Sequence, residues 1–321
     1  MEKVRKQRFM TMREQFKTFW LNNGAKSQQP TFIAYTEARS KDPSLPFISR
    51  DTIREYVKEF KNQYLITKKS PKILYFDIET TDLMAGFGIM LMVSYCYQDT
   101  PADVKCITIL DDLRYKDLPP EKCDKYLVSA LKDLIDESDI QVAHFGSKFD
   151  IKFLQSRLLI HRLQMTDSKW KTFFDTCITA WKKFKIGGRL KVLARAMGCD
   201  NQKDELPLSV WQRSKCIGYE PYFSDAIKEM VDYCKQDTRT LYDIAQPMFP
   251  YAKHLPSFQA ITGVSGNYCP SVNCGSHNIE FVGVDPTKSG AYPQYRCKDC
   301  GTIYRGTQDI RKFTKERKVA Y

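Results

Sequence analysis

The stretch KILYFDIETTDL, residues 72–83, sets two acids, Asp77 and Glu79, at the end of a run of strand-forming residues. Strand interiors disfavour acids, and two carboxylates separated by a single residue on a strand point to the same face. A fold that accepts this must hold something cationic against that face. The cation is either a structural Lys or Arg, or a metal ion engaged in chemistry.

The chain around this stretch has 321 residues, enough for a substantial core plus small appended modules. Its formal net charge of +12 favours a polyanionic partner, nucleic acid ahead of an anionic membrane. No apolar run approaches the roughly 20 residues needed to span a bilayer, which argues against a membrane protein. The N-terminal MEKVRKQRFM is basic without an apolar core behind it, unlike a secretory signal. Seven of the 11 cysteines are scattered and four cluster near the end. That distribution suits an intracellular, cytoplasmic, reducing compartment and one metal site.

Composition separates three regions and a tail. Residues 1–68 show helical periodicity: Phe9, Met12, Phe16, Phe19 and Trp20 share one face, as do Ile53, Tyr56, Val57 and Phe60. TFIAYTEARS between them reads as a helix, and Ser49 or Asp51 as the cap of the next. Three such helices resemble a helix-turn-helix or winged-helix module; DNA contact and a structural or docking role both remain open. Residues 71–250 alternate strand and helix. KILYFD, GIMLMVSYCYQ, DVKCITIL, IQVAHF and TFFDTCI read as strands, the rest largely as helices ending in SDAIKEMVDYCKQDTRTLYDIA. The fold class is therefore α/β, a mixed five-stranded sheet flanked by helices. Residues 262–308 are rich in Gly, Cys and Tyr and too polar to bury a core without a staple. Residues 309–321 form a basic tail, expected to add nonspecific, salt-dependent affinity.

Further acids gain meaning on these elements. Asp150 in VAHFGSKFDIKFL opens a helix just after a strand. Asp237 in YCKQD follows Tyr233 by four residues, which puts phenol and carboxylate on one helical face. In an α/β sheet these elements can converge at one end of the central strands. Four gathered carboxylates repel strongly unless cations sit among them. Two divalent ions remove that repulsion and supply what phosphodiester hydrolysis requires. Oxygen-only ligation selects Mg2+ or Mn2+ over zinc.

The residues FDIETT, HFGSKFD and YCKQD resemble, in order, the three motifs of the DEDD exonucleases of the ribonuclease H-like superfamily. The Tyr-x-x-x-Asp form of the third is similar to the tyrosine subgroup, which includes the proofreading domains of DNA polymerases. The resemblance covers about residues 71–250. It implies a two-metal 3′→5′ exonuclease that releases nucleoside 5′-monophosphates, with DNA the favoured substrate. By it Asp77 would bridge both metals, and Glu79 and Asp237 would complete the nucleophile-activating site. Asp150 would serve the second metal, and Tyr233 would position the attacking water. Thr80 and Leu83 match positions that contact and wedge the terminal nucleotide, and Phe145 and Phe149 complete the candidate substrate contacts. Many relatives carry Asn where this chain has Phe145, a departure that bears on substrate geometry. Phe145 either stacks on a base or belongs to the core. His144 reads as a satisfied structural histidine.

Near the end, CPSVNC and CKDCG present Cys269, Cys274, Cys297 and Cys300, a spacing that suits one structural Zn2+ and resembles a zinc ribbon. His277 is an alternative to Cys274. Tyr295, Arg296, Tyr304 and Arg305 form a basic–aromatic mix suited to single-strand stacking; bracing of the nuclease core is the other role. Without a polymerase-sized domain, the expected setting is independent action or a replication or repair assembly. Two rivals remain: a catalytically inert DNA-binding regulator, and an endonuclease or transposase-type enzyme on the same fold.

Overall fold

A computed structural model describes residues 11–22, 28–66, 70–164, 172–199, 205–264 and 266–311. The chain divides into two compact units, residues 1–69 with 262–265, and residues 70–261 with 266–321.

In the first unit, α1 (Met12–Asn22), α2 (Gln28–Lys41) and α3 (Arg50–Ile66) enclose Phe16, Trp20, Tyr35, Ile48, Ile53 and Val57. Ser49 caps α3, its hydroxyl accepting the Thr52 N–H at 3.1 Å, so Asp51 lies inside the helix. Phe9 and the side chain of Phe60 lie outside the described residues, as does the tail from residue 312.

The second unit holds the mixed sheet. Its strands are β1 (Ile73–Thr80), β2 (Met90–Tyr97), β3 (Lys105–Thr108), β4 (Ile140–Ala143) and β5 (Phe173–Asp175), in the order β3-β2-β1-β4-β5. β1 is antiparallel to β2 and parallel to β4, and β4 is parallel to β5. β1 is central because its apolar residues are buried on both faces. Leu74, Phe76 and Ile78 pack under α4 (Lys125–Glu137) and α5 (Asp150–His161), while Ile73 and Tyr75 face the other helical layer. That layer comprises α6 (Thr176–Lys183), α7 (Leu190–Ala196), α8 (Leu208–Arg213) and the 24-residue α9 (Tyr222–Ala245); α10 (Phe258–Thr262) follows. α4 forms because Leu127, Val128, Leu131 and Ile135 recur at helical spacing and are all buried.

Four strands are shorter than the sequence pattern suggests: β2 and β4 by a few terminal residues, and β3 and β5 each for a local reason. β3 stops at Thr108, whose backbone N–H turns to the Asp111 carboxylate at 2.7 Å and starts a 3-10 turn. β5 stops at Asp175, whose carboxylate accepts the Ile178 N–H at 2.9 Å and caps α6. A separate antiparallel sheet of β6 (Ile279–Pro286), β7 (Ala291–Cys297) and β8 (Ile303–Arg305) ends the described chain.

Candidate active site and cysteine cluster

Asp77 and Glu79 occupy the last turns of β1's pleat on the face covered by α9, and both are partly exposed where the apolar residues before them are buried. Asp77 stands opposite Ser94 of β2. The Ser94 hydroxyl donates to the Cys234 carbonyl of α9 at 2.7 Å and hydrogen-bonds Thr238. Small residues at this crossing let the helix backbone approach the strand. Cys234 thereby comes within 3.9 Å of an Asp77 carboxylate oxygen. One carboxylate oxygen each of Asp77 and Glu79 and the Cys234 sulfur lie within 4.8 Å of one another. Burial first, then a Cys106 hydrogen bond and the charges of Asp77 and Glu79, push the Cys234 thiol well above its ordinary value. It therefore sits there as a neutral SH.

The buried stripe of α9 runs Phe223, Ile227, Met230, Cys234, Asp237, Leu241, Ile244. Asp237, only 4% exposed, is the acid in an otherwise apolar and small-residue series. Tyr233 is half-buried, and its ring meets Trp211 of α8 edge-on at 6.1 Å. Asp150 is buried at the start of α5. β1 and β4 pair only from Ile73 to Tyr75; beyond that the Asp150 carboxylate accepts the Ile78 N–H as well as its own. Burial nevertheless raises its pKa to about 7. Asp150 thus lies on the peptide between Asp77 and Glu79, at the strand's edge. Neither Asp150 nor Asp237 belongs to the 4.8 Å group of Asp77, Glu79 and Cys234.

The remaining candidates are placed as follows. The Thr80 hydroxyl donates to the Asp82 carbonyl at 2.8 Å, and Leu83 is 78% exposed in the β1–β2 loop. Phe145 is exposed, while Phe149 packs partly buried against the α4–α5 core. His144 hydrogen-bonds the Thr176 hydroxyl at 2.9 Å and the Gly188 carbonyl at 2.7 Å, the satisfied environment expected of it. Sequence reasoning missed Cys234 and Asp175. The second is 6% exposed and accepts the N–H groups of Phe145 (3.1 Å), Ser147 (3.0 Å) and Ile178 (2.9 Å) and the Ser147 hydroxyl (2.6 Å). It shapes the turn that delivers Asp150.

The donor set fits divalent cations. Two carboxylates with oxygens this close, and a third acid buried beside them, are a hard anionic set that Mg2+ or Mn2+ would relieve. A separate site fits zinc. The sulfurs of Cys269, Cys274, Cys297 and Cys300 lie within 4.8 Å of one another, with Cys269–Cys300 at 3.5 Å and Cys274–Cys297 at 3.8 Å. A tetrahedron with Zn–S bonds of about 2.3 Å has sulfur–sulfur edges of about 3.8 Å, whereas a disulfide needs about 2.05 Å. His277 lies outside this group, its Nδ1 3.2 Å from the Asn267 carbonyl oxygen. Gly301, at φ +76°, makes the tight turn after Cys300. Burial pushes the Cys269 and Cys274 thiols up; at Cys297 it is outweighed by the Cys300 and Asp299 N–H groups, which hold that thiol below its ordinary value.

Among solved structures, the chain is similar to the family B DNA polymerase from the hyperthermophilic archaeon Pyrobaculum calidifontis. That likeness has 14% identity and a TM-score of 0.42, and covers 56% of this chain and 25% of the polymerase. The chain therefore matches only about a quarter of that protein. No curated protein matches it. The model of the RNase H superfamily matches residues 74–249, the whole mixed sheet with α4 to α9. On that match, which spans more than half its length, the chain belongs to the RNase H superfamily.

Proposed function

We propose that the protein is a divalent-metal-dependent nuclease that removes nucleotides from 3′ ends, with DNA favoured over RNA. The observation that carries this reading is the meeting of three elements at one end of β1. The strand presents Asp77 and Glu79, α9 lays Cys234 against them and carries Asp237 one turn further along its buried stripe, and α5 aims Asp150 at the Ile78 amide between them. A structure whose acids served only as surface caps would not bury Asp150 and Asp237. Asp77, Glu79, Asp150 and Asp237 would hold Mg2+ or Mn2+, which when bound neutralises the carboxylates and makes water acidic enough to attack a phosphodiester. Tyr233, kept in place by Trp211, orients that water through its hydroxyl. Thr80 and the exposed Leu83 meet the terminal nucleotide. The four cysteines hold one structural Zn2+, which makes β6–β8 a zinc-ribbon-like module beside the nuclease core.

The test is a time course on matched 3′-labelled and 5′-labelled DNA and RNA oligomers with Mg2+ or Mn2+. The expected result is stepwise shortening from the 3′ end, with covalently closed circular DNA untouched. Asp77→Ala and Asp237→Ala should each lower the rate by on the order of 10³-fold while the protein stays folded. Full activity in either variant would sink the assignment, and cleavage of closed circles would replace exonuclease with endonuclease.

A further inference from the structure

Beside the acid cluster, two exposed rings stand among cations. Phe145 has φ +63°, the left-handed region that a bulky side chain rarely occupies, and it is 37% exposed. Trp181 of α6 is 56% exposed and meets Phe145 edge to face, ring centroids 5.7 Å apart. Both are fixed from behind. The Phe145 N–H donates to buried Asp175, and its carbonyl accepts the N–H groups of Lys148 and Phe149 at 2.9 and 3.1 Å, leading into Asp150. His144 binds the Gly188 carbonyl, and Gly188 lies so close under the Trp181 indole that a Cβ there would come within 2.0 Å of Nε1. A strained conformation held this firmly at a solvent-facing aromatic points to a ligand rather than to packing.

The charge around the rings is one-sided. Lys148, Lys182, Lys183 and Arg189 are all exposed, and none of the four makes an ion pair among the described residues. Across residues 172–199 the sole acid is Asp175, already committed to its four donors. Lys182 and Lys183 line, with Ser147, a cleft of about 290 Å³.

We propose that Phe145 and Trp181 are a stacking platform for the bases of a single nucleic-acid strand, whose phosphates are met by Lys148, Lys182, Lys183 and Arg189, beside Asp150. Ring faces accept any base and cations accept the backbone, so the platform is sequence-tolerant. A duplex hides its base faces from such rings, which makes the single strand the fitting occupant. Because the rings are set in advance, little side-chain ordering remains on binding. The inference rests on the nuclease reading for its choice of nucleic acid, but it concerns binding, which is measurable with cleavage disabled.

The experiment uses the full chain carrying Asp77→Asn and a fluorescein-labelled oligo-dT strand, followed by anisotropy at fixed salt, with a blunt duplex of equal length in parallel. Trp181→Ala and Phe145→Asn should each weaken strand binding about 10-fold or more, with unfolding midpoints close to that of the parent. Asn tolerates the left-handed backbone, so that variant removes the ring without adding strain. Trp181→Phe should restore most of the affinity. Unchanged strand affinity in both ring-deleting variants overturns the proposal, as does a blunt duplex that binds equally and loses affinity in the same variants. Ring-dependent binding by a wild-type chain that cuts no 3′-labelled strand would defeat the nuclease reading alone. Normal 3′ cleavage with an unchanged KM in both ring variants would defeat the platform alone.

Discussion

Asp175 accepts four hydrogen bonds while almost fully buried, three from backbone N–H groups and one from the Ser147 hydroxyl. Asp175→Ala leaves those donors without their carboxylate partner, at the wall of the cleft of about 290 Å³ that Asp175 and Ser147 line. Each buried donor left unmet costs about 1–3 kcal/mol, and partial relaxation of the turn limits the sum, so a loss of roughly 3–4 kcal/mol in unfolding free energy by urea titration is expected. A loss under about 1 kcal/mol would mean that the turn holds itself. Little local announced this residue: FFDTC reads as strand, and beyond the nearby Ile178 N–H its donors, on Phe145 and Ser147, lie about thirty positions upstream. Asp77 and Glu79 were legible because strand periodicity alone puts them on one face. Cys234 was hidden for the opposite reason: a cysteine in an apolar helical stripe reads as core, and only the pairing of Asp77 with Ser94 brings it to the acids.

The β1–β2 loop, which exposes Leu83, Met84 and Phe87, is held at its base by a buried charge network. Arg157 of α5 donates to both Asp124 carboxylate oxygens at 2.9 and 2.6 Å and to the Ala85 carbonyl at 3.1 Å. His161 stands 2.7 Å from Asp124, which also accepts the Met90 N–H at the start of β2. Arg157→Ala strands a buried carboxylate and is expected to cost about 3–5 kcal/mol in chemical denaturation; a loss below about 1 kcal/mol would contradict the network's role. The pH dependence has a definite sign. Burial raises the Asp124 pKa, but the hydrogen bonds of His161 and Arg157, the Arg157 charge and the Met90 N–H outweigh it and hold it below the ordinary carboxylate value. A depressed acid adds stability above its unfolded pKa and loses it as pH falls through the folded one. The gap in unfolding free energy between the parent and Asp124→Asn should therefore be constant near pH 7 and shrink below about pH 4; a gap that widens in acid would refute this. At this scale the sequence was informative, since each of the five strands and the long α9 falls within or over a stretch that alternation and apolar stripes mark. Strand order was not, because pairing partners depend on long-range packing that no local pattern encodes.

At the scale of the whole molecule, the β6–β8 sheet needs a reason to fold. Its strands bury almost nothing: in β6 no residue is fully buried, and in β7 only Cys297 is. The cross-strand row Phe281–Tyr295–Tyr304 has ring centroids 6.1 and 5.6 Å apart, and Phe281 is 61% exposed. In a sheet with so little apolar burial, the proposed zinc on the four cysteines would be the chief stabiliser, because metal-binding free energy becomes folding free energy when the site exists only in the folded chain. The cysteine spacing was readable from sequence; the closeness of all four sulfurs was not, since it depends on the β6–β7 hairpin returning Cys297 opposite Ile279. The purified chain is expected to carry one zinc per molecule by elemental analysis. Cys297→Ser and Cys300→Ser should each lose that zinc, together with protection of residues 266–311 against hydrogen exchange. The mixed sheet, which has its own apolar core on both faces of β1, should keep its protection. Ser94, opposite Asp77 on β2, supplies a reporter on that core through its buried bonds to α9. A metal-free chain kept reduced, with β6–β8 as protected as in the metal-loaded protein, would show that the thiols pack as ordinary core and that the sheet is held by the nuclease unit alone.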